Sequence, residues 1–300
     1  MAAEPTRTSF QTKRLRLAAD RWEPAPRAGR HGAVVLLHGG GQTRHSWRRT
    51  GQRLADSGWT AIALDARGHG ESDWDSDGDY GIEALVSDLL AVVGGLRERP
   101  VLVGASAGGL TSLIAQGERP ELARALVLVD VTPRIELDGA AEVTNFMRSG
   151  ADGFASLDEA AEAVVAYNPH RAQPPGVDGL RKNLRQVGDR WYWHWDPRFL
   201  SGASRPGSKS VEAQLLELTA RAEAAARAIS VPTLLVRGAE SRIVSPATAH
   251  ELRQLIPAAR QLDVSGAGHM VAGDDNDVFC GGLLEFLETE VLSSDGARRP

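Results

Sequence analysis

Five short apolar runs, spaced through the chain, constrain its fold more than any other feature. They are Ala33-Val34-Val35-Leu36-Leu37, Thr60-Ala61-Ile62-Ala63-Leu64, Val101-Leu102-Val103, Ala125-Leu126-Val127-Leu128-Val129 and Thr233-Leu234-Leu235-Val236. Each closes within two residues of a Gly or an Asp. Continuous runs this short and this rich in Val, Leu and Ile suit strands buried on both faces, as in a parallel sheet. Between them lie stretches with helical spacing. Ile82, Leu85, Leu89, Val92, Val93 and Leu96 place one apolar stripe on a helix over 81–97. Val278, Phe279, Leu283, Leu284, Phe286, Leu287 and Val291 do the same near the C-terminus, with Asp277 as its N-cap. Strand and helix in alternation predict an α/β fold: a mostly parallel sheet with helices on both faces. Lys13-Arg14-Leu15-Arg16-Leu17 alternates weakly and reads as an antiparallel edge strand.

The alternation breaks between Pro133 and Ile229. Ser156-Leu157-Asp158-Glu159 is a capping-box pattern ahead of a helix over 160–167. Asn168-Pro169 and Pro174-Pro175-Gly176 then punctuate the chain, and Val211–Ala228 reads as a further helix. No buried strand and no separate core are legible there. The chain therefore divides into an α/β core, 1–132 with 229–300, and an insertion of helix and loop, 133–228. Trp191, Tyr192, Trp193, Trp195 and Phe199 crowd into one part of this insertion. They either glue the insertion to the core or line an apolar pocket beneath a lid, with Trp191, Tyr192 and Trp193 as the pocket candidates.

Three motifs carry chemistry. Gly104-Ala105-Ser106-Ala107-Gly108 fits G-x-S-x-G, and it stands between an apolar run and the helix-like Leu110–Ala115. Such a strand–turn–helix context lifts a serine hydroxyl off the strand end and aims a helix N-terminus at the site. His38-Gly39-Gly40-Gly41 follows another run directly and resembles the oxyanion loop of lipases and esterases. The backbone N–H groups of Gly40 and Ala107 are the candidate oxyanion donors, and His38 reads as a structural hydrogen-bonding residue. Ser265-Gly266-Ala267-Gly268-His269 precedes the last helix and offers His269 as a general base on a glycine-rich loop. His69, in Asp65-Ala66-Arg67-Gly68-His69-Gly70-Glu71-Ser72, reads as part of a tight structural loop.

Taken together, His38–Gly41, Asp65–Ser72, Gly104–Gly108 and Gly268-His269 resemble the α/β-hydrolase superfamily. The resemblance is to its lidded bacterial subgroup of esterases, lactonases and cofactor-free peroxidase-like enzymes. It implies a helical cap, inserted after the sixth strand, where 133–228 stands, and a Ser–acid–His triad. Members often carry the acid after the seventh strand, in a pattern like G-x-x-D-R-x-x-P. Here the matching stretch is Gly238-Ala239-Glu240-Ser241-Arg242-Ile243-Val244-Ser245, with Ser241 in the acid position. Two carboxylates remain: Glu240, one position out of register, and Asp130, directly after Ala125–Val129, where some members place the acid. The register favours Asp130 as the group that orients His269.

The implied activity is a serine hydrolase that cleaves a carboxylic ester or lactone of a small, largely apolar substrate through an acyl-enzyme on Ser106. Carbon–carbon bond hydrolysis or cofactor-free peroxidase chemistry on the same triad is the alternative, as is a non-catalytic ligand-binding member, which Ser241 brings into view. Serine at 106 disfavours epoxide hydrolase or dehalogenase chemistry, whose nucleophile is a carboxylate. Composition narrows the field further. The net charge is −5, from 34 basic and 39 acidic residues, so nucleic acid is not expected as a partner. No stretch approaches a membrane span, no apolar leader opens the chain, and Cys280 is the one cysteine, which together suggest a cytoplasmic protein. No H-E-x-x-H or thiolate cluster points to a metal, and no fingerprint points to a cofactor.

Overall fold

The structure, a computed structural model, describes residues 4–25, 29–167, 177–200, 210–271 and 277–293. In chain order the sheet strands are β1 (Thr6–Gln11), β2 (Arg16–Trp22), β3 (Ala33–Leu37), β4 (Thr60–Leu64), β5 (Val101–Ala105) and β6 (Ala125–Val129). A two-stranded hairpin follows, β7 (Leu184–Val187) and β8 (Arg190–Trp193), and then the sheet strands β9 (Thr233–Gly238) and β10 (Arg260–Val264). The eight sheet strands run in the order β1-β2-β4-β3-β5-β6-β9-β10. β1 with β2 and β2 with β4 pair antiparallel, and every other pair is parallel. The basic run expected at the edge is split: Lys13 and Arg14 sit in the β1–β2 turn, Arg16 opens β2, and β1 is the edge strand.

The apolar runs are continuous because both faces are covered. Val35, Ile62, Leu102, Leu126, Leu128 and Leu235 point to one layer with Val86, Leu89 and Val92 of α2 (Ile82–Gly94), Leu113 and Ile114 of α3 (Ala107–Glu118), and Leu252 of α8 (Pro246–Leu255). Their sequence neighbours Val34, Leu36, Ala61, Ala63, Val101, Val103 and Val236 point to the other layer. There they meet Leu54 of α1 (Arg48–Asp56) and Phe279, Leu283 and Phe286 of α9 (Asp277–Phe286). This period-2 division is what a strand buried on both sides produces. Asp277 is the first residue of α9 rather than its N-cap, and its carboxylate pairs with Arg49 and Arg53 of α1.

Between β6 and β9 the chain builds α4 (Leu137–Arg148), α5 (Leu157–Tyr167), α6 (Val177–Arg181), the β7–β8 hairpin, a 3-10 turn (Pro197–Leu200) and α7 (Val211–Arg227). Ser156 caps α5 by accepting the Glu159 N–H at 3.1 Å, and the Glu159 carboxylate reaches back to the Ala155 N–H. The punctuating 168–169 and 174–176 stretches lie outside the described residues. In two respects the insertion differs from the expected helices without a core. It contains the hairpin, and it has an apolar cluster of its own, with Met147, Phe154, Ala160, Leu180, Leu184, Trp193 and Trp195 buried together. α7, moreover, packs on the sheet side: its Ala222, Ala225 and Ala226 join the same layer as Leu113 and Ile114 of α3. A side chain at Gly117 of α3 would run into the Ala225 backbone at 2.3 Å, so glycine there sets this close helix crossing. Spacing alone does not reveal which partner a helix takes.

Candidate active site

Ser106 stands between β5 and α3 at φ 46°, ψ −116°. Among the described residues only Ser106 and Asp130 are non-glycine residues with positive φ. Strain of this kind costs about 1–3 kcal/mol per residue and survives only where the surroundings enforce it. Here the enforcement is visible. The Ser106 N–H donates to Val129 O at 3.0 Å, and the Leu110 N–H donates back to Ser106 O at 2.9 Å. A Cβ at Gly104 would lie 2.4 Å from Gly108 O, and one at Gly108 would lie 2.6 Å from His38 O. Both glycines of the motif are therefore required by close backbone approach. Leading away from Ser106, α3 leaves its first N–H groups facing the serine.

Asp130 follows β6, fully buried. Its own N–H donates to Val236 O at 2.7 Å, and its Oδ1 accepts the Gly238 N–H at 3.0 Å. Its Oδ2 accepts from Ser241 Oγ at 2.6 Å and meets His269 Nδ1 at 2.7 Å. With Oδ2 as an acceptor, His269 carries its proton on Nδ1 and leaves Nε2 free to take another. Glu240 is exposed, and its N–H donates to Ala267 O at 3.0 Å, so its backbone helps hold the histidine loop. Gly238 lets that loop approach: a Cβ there would lie 2.2 Å from Gly268 O. Ser241, in the acid position of the family pattern, thus hydrogen-bonds the carboxylate that meets the histidine, a role the sequence reading missed. Its Oγ also accepts the Ile243 and Val244 N–H groups at 3.1 Å each.

The Gly39–Gly41 loop lies beside Ser106, where a Cβ at Gly39 would come within 3.3 Å of Ser106 Cβ. The Gly39 N–H donates to Gln42 Oε1 at 3.0 Å and the Gly41 N–H to His69 Nε2 at 3.1 Å. Among the described residues, the Gly40 and Ala107 N–H groups have no hydrogen-bond acceptor. His38 is buried: its Nδ1 faces Gly39 O at 2.7 Å and its Nε2 accepts the Ala66 N–H at 2.9 Å. Burial pushes its pKa down to about 4, and that of His69 down to about 3. Both are neutral, doubly hydrogen-bonded rings at neutral pH. The Asp65–Ser72 loop that carries His69 is tied by the buried Arg44, whose guanidinium pairs with Asp20, Asp65 and Glu71.

Ser106 and His269 open on one cavity of about 150 Å³ between the core and the insertion. The insertion contributes Phe146, Met147, Tyr167, Leu180, Trp193 and Trp195, among others. Of the three aromatic pocket candidates only Trp193 lines it. Trp191 instead lies under the Arg181 guanidinium, and Tyr192 under that of Arg185 with Gly153 against its ring. Tyr167 is held neutral, its pKa raised to about 12 by burial and by the nearby Glu142 and Asp130 charges. No Arg, Lys, Asp or Glu stands among the described lining residues. Among the described residues no group of three His, Cys, Asp or Glu side chains could hold a metal ion, and no helix is long and apolar enough to cross a membrane.

A doubly covered, mostly parallel sheet, a strained serine ahead of a helix and a histidine backed by a buried carboxylate define the hydrolases of the α/β-hydrolase fold. The model of that family, the alpha/beta hydrolase fold, matches residues 32–275, and the chain belongs to it. It is 32% identical over 270 residues to the esterase Rv0045c of Mycobacterium tuberculosis, covering 86% of this chain and 82% of that one. It is 30% identical over 239 residues to the 2-(acetamidomethylene)succinate hydrolase of Mesorhizobium japonicum, covering 79% and 81%. Among solved structures, a crystal structure of E-2-(acetamidomethylene)succinate hydrolase superposes with a TM-score of 0.79 at 22% identity, over 95% of this chain and all of that one; this likeness is one of fold.

Proposed function

We propose that the protein is a serine esterase acting on small, neutral, largely apolar carboxylic esters or lactones, with residues of 133–228 forming a cap over the site. The observation that carries this reading is the His269 Nδ1–Asp130 Oδ2 contact beside a strained Ser106 on a common cavity. In the reaction, His269 Nε2 takes the Ser106 proton as Oγ attacks the carbonyl carbon, and Asp130 stabilises the imidazolium. The Gly40 and Ala107 N–H groups receive the developing oxyanion, each worth about 3 kcal/mol of transition-state stabilisation. Collapse of the tetrahedral intermediate passes the proton from His269 to the departing alkoxide and leaves an acyl-enzyme on Ser106. Water, activated by the same His269, then releases the acid.

Among the described lining residues none is Arg, Lys, Asp or Glu, which supports a neutral substrate, because a bound carboxylate without a cationic partner would bear its full desolvation cost. In this respect the reading departs from the 2-(acetamidomethylene)succinate hydrolase relative, whose named substrate is an acid. A non-catalytic binding role drew on serine at 241; the Asp130 carboxylate against the His269 ring supports the catalytic reading instead. The test is a fluorophosphonate probe followed by peptide mapping, alongside a panel of p-nitrophenyl esters, lactones and succinate-type acidic esters. Adduct on Ser106 and turnover of neutral substrates over acidic ones are expected. Active protein that is not labelled at Ser106 would overturn the proposal.

A further inference from the structure

The motif containing His69 reads in sequence as a structural loop, yet its ring reaches the oxyanion loop. His69 Nε2 accepts the Gly41 N–H at 3.1 Å, and Nδ1 faces Arg67 O at 3.1 Å. Burial keeps the ring neutral, so Nε2 has a lone pair to offer that N–H and Nδ1 a proton to offer the carbonyl. The same ring is the seat of the insertion. Its backbone bridges that of Trp195, the Gly70 N–H donates to His194 O at 2.7 Å, and the Asp196 N–H donates to Gly68 O at 2.7 Å. Phe199 meets the His69 ring edge-on with centroids 4.8 Å apart. Phe199 also covers the loop itself: a Cβ at Gly40 would lie 3.3 Å from its ring, and one at Gly41 would lie 3.1 Å from Met147. The 194–199 strap is fastened at its far end as well. Asp196 accepts from the Tyr80 hydroxyl and pairs with Arg198, which donates to Asp75 O at 2.9 Å and Ser76 O at 3.1 Å.

We infer that His69 is a positioning residue: it clamps the Gly39–Gly41 loop from the core side while Phe199 presses it from the cap side, so that seating of the 194–199 strap sets the oxyanion geometry. The inference rests on the reading of the Gly40 N–H as an oxyanion donor. It accounts for a feature that reading leaves unused, a buried imidazole whose acceptor nitrogen faces the next amide along from the donor. The coupling is a chain of direct contacts: strap to imidazole, imidazole to Gly41, and Gly41 to the peptide that carries the donor. A glycine loop has little stiffness of its own, so two external supports decide where its N–H groups point.

Two substitutions separate the clamp from mere packing. The amide of a glutamine reaches the place of Nε2 and can accept from Gly41, whereas that of an asparagine reaches only the place of Nδ1 and can serve only Arg67 O. His69→Asn is expected to lower kcat on p-nitrophenyl butyrate about 10- to 100-fold with KM within twofold, somewhat less than outright loss of an oxyanion donor. His69→Gln should recover most of that loss. Phe199→Ala should lower kcat in the wild-type background and add little in the His69→Asn background, as coupled residues do. Amide hydrogen exchange at Gly41 should rise in His69→Asn and in Phe199→Ala and stay slow in His69→Gln. Unchanged exchange at Gly41 in His69→Asn, equal losses in the Asn and Gln variants, or independent effects of the two sites would overturn the clamp. If the wild-type protein turns over no ester, the esterase reading falls, and the exchange measurement still decides whether strap and His69 hold the loop.

Discussion

Asp130→Asn is the perturbation that most directly interrogates the site. Asparagine accepts the left-handed backbone at φ 49° readily, so the substitution carries no added strain at that position. Its side chain, however, must face the same three donors with one oxygen and one NH2. If the oxygen stays on the Gly238 N–H, now 3.0 Å from Oδ1, the NH2 faces Ser241 Oγ and His269 Nδ1. The amide then donates to Nδ1, the imidazole proton moves to Nε2, and the base has no lone pair for Ser106. If the amide flips to keep the productive tautomer, its NH2 confronts the buried Gly238 N–H, which costs about 1–3 kcal/mol. The flipped form also lacks the negative charge opposite the imidazolium formed during the reaction. These losses compound to a fall in kcat of about 10³- to 10⁴-fold, comparable to the known effect of this change in serine-protease triads, or about 4–5.5 kcal/mol of barrier. The assay is steady-state hydrolysis of p-nitrophenyl butyrate at pH 8, with thermal melting to confirm the fold. A kcat within tenfold of wild type, or a larger loss in Glu240→Gln than in Asp130→Asn, would refute the reasoning.

Other expectations bear on the supports of the site. Gly238→Ala drives a methyl group into the Gly268 carbonyl at 2.2 Å and should displace the histidine loop, lowering kcat at least tenfold while melting changes by only a few degrees; an unchanged kcat would show that the loop yields freely. His38 and His69 are neutral when folded and titrate near pH 6.5 when unfolded, so the unfolded state binds more protons below that pH. Each should make stability fall, by up to about 1.4 kcal/mol per pH unit, from pH 6.5 down toward its folded value of about 4 or 3. Urea melts at pH 7 and pH 5 read this slope, and a flat profile would contradict it. Trp193→Ala removes a buried ring from the apolar cluster of the insertion and one wall of the cavity. Loss of that ring from the insertion cluster should destabilise by about 3–5 kcal/mol and raise KM more than it lowers kcat, which thermal melts and initial rates would check.

The sheet was legible because five of its strands are buried on both faces, which writes a run of Val, Leu and Ile into the sequence wherever one occurs. β1, half exposed at the edge, leaves no such run, and the adjacent basic stretch drew the expected strand a few residues too late. Ser106 is singled out by the glycine spacing of its motif, and Gly104 and Gly108 are each forced by a backbone approach that no side chain survives; His269 is singled out by the glycine-rich loop before it and by chain order, although a Cβ at Gly266 or Gly268 would meet nothing within 4 Å. Other features were not local enough to read. The destination of α7 depends on Gly117 in another helix, and the β7–β8 hairpin on pairings such as Phe154 with Trp191. Likewise, the second donor to Asp130 lies 111 positions away at Ser241. His69 carried no periodicity that could link it to Gly41, because a hydrogen bond across 28 residues leaves no mark on spacing.

The hydroxyl of Ser241 lies 2.6 Å from the carboxylate that serves His269, which has a consequence for the history of such chains. The two places where the family keeps its acid, after β6 and after β9, converge on one point of space. Filling both would set two carboxylates within hydrogen-bond distance in a largely buried site, where like charges make one of them take up a proton or destabilise the fold. Filling neither leaves the histidine unoriented. Moving the acid from one strand end to the other is therefore expected to need both substitutions together. Ser241→Asp alone should be harmful here, and the same change beside Asp130→Ser should restore activity, so each acid placement is a separate peak reached only by paired change.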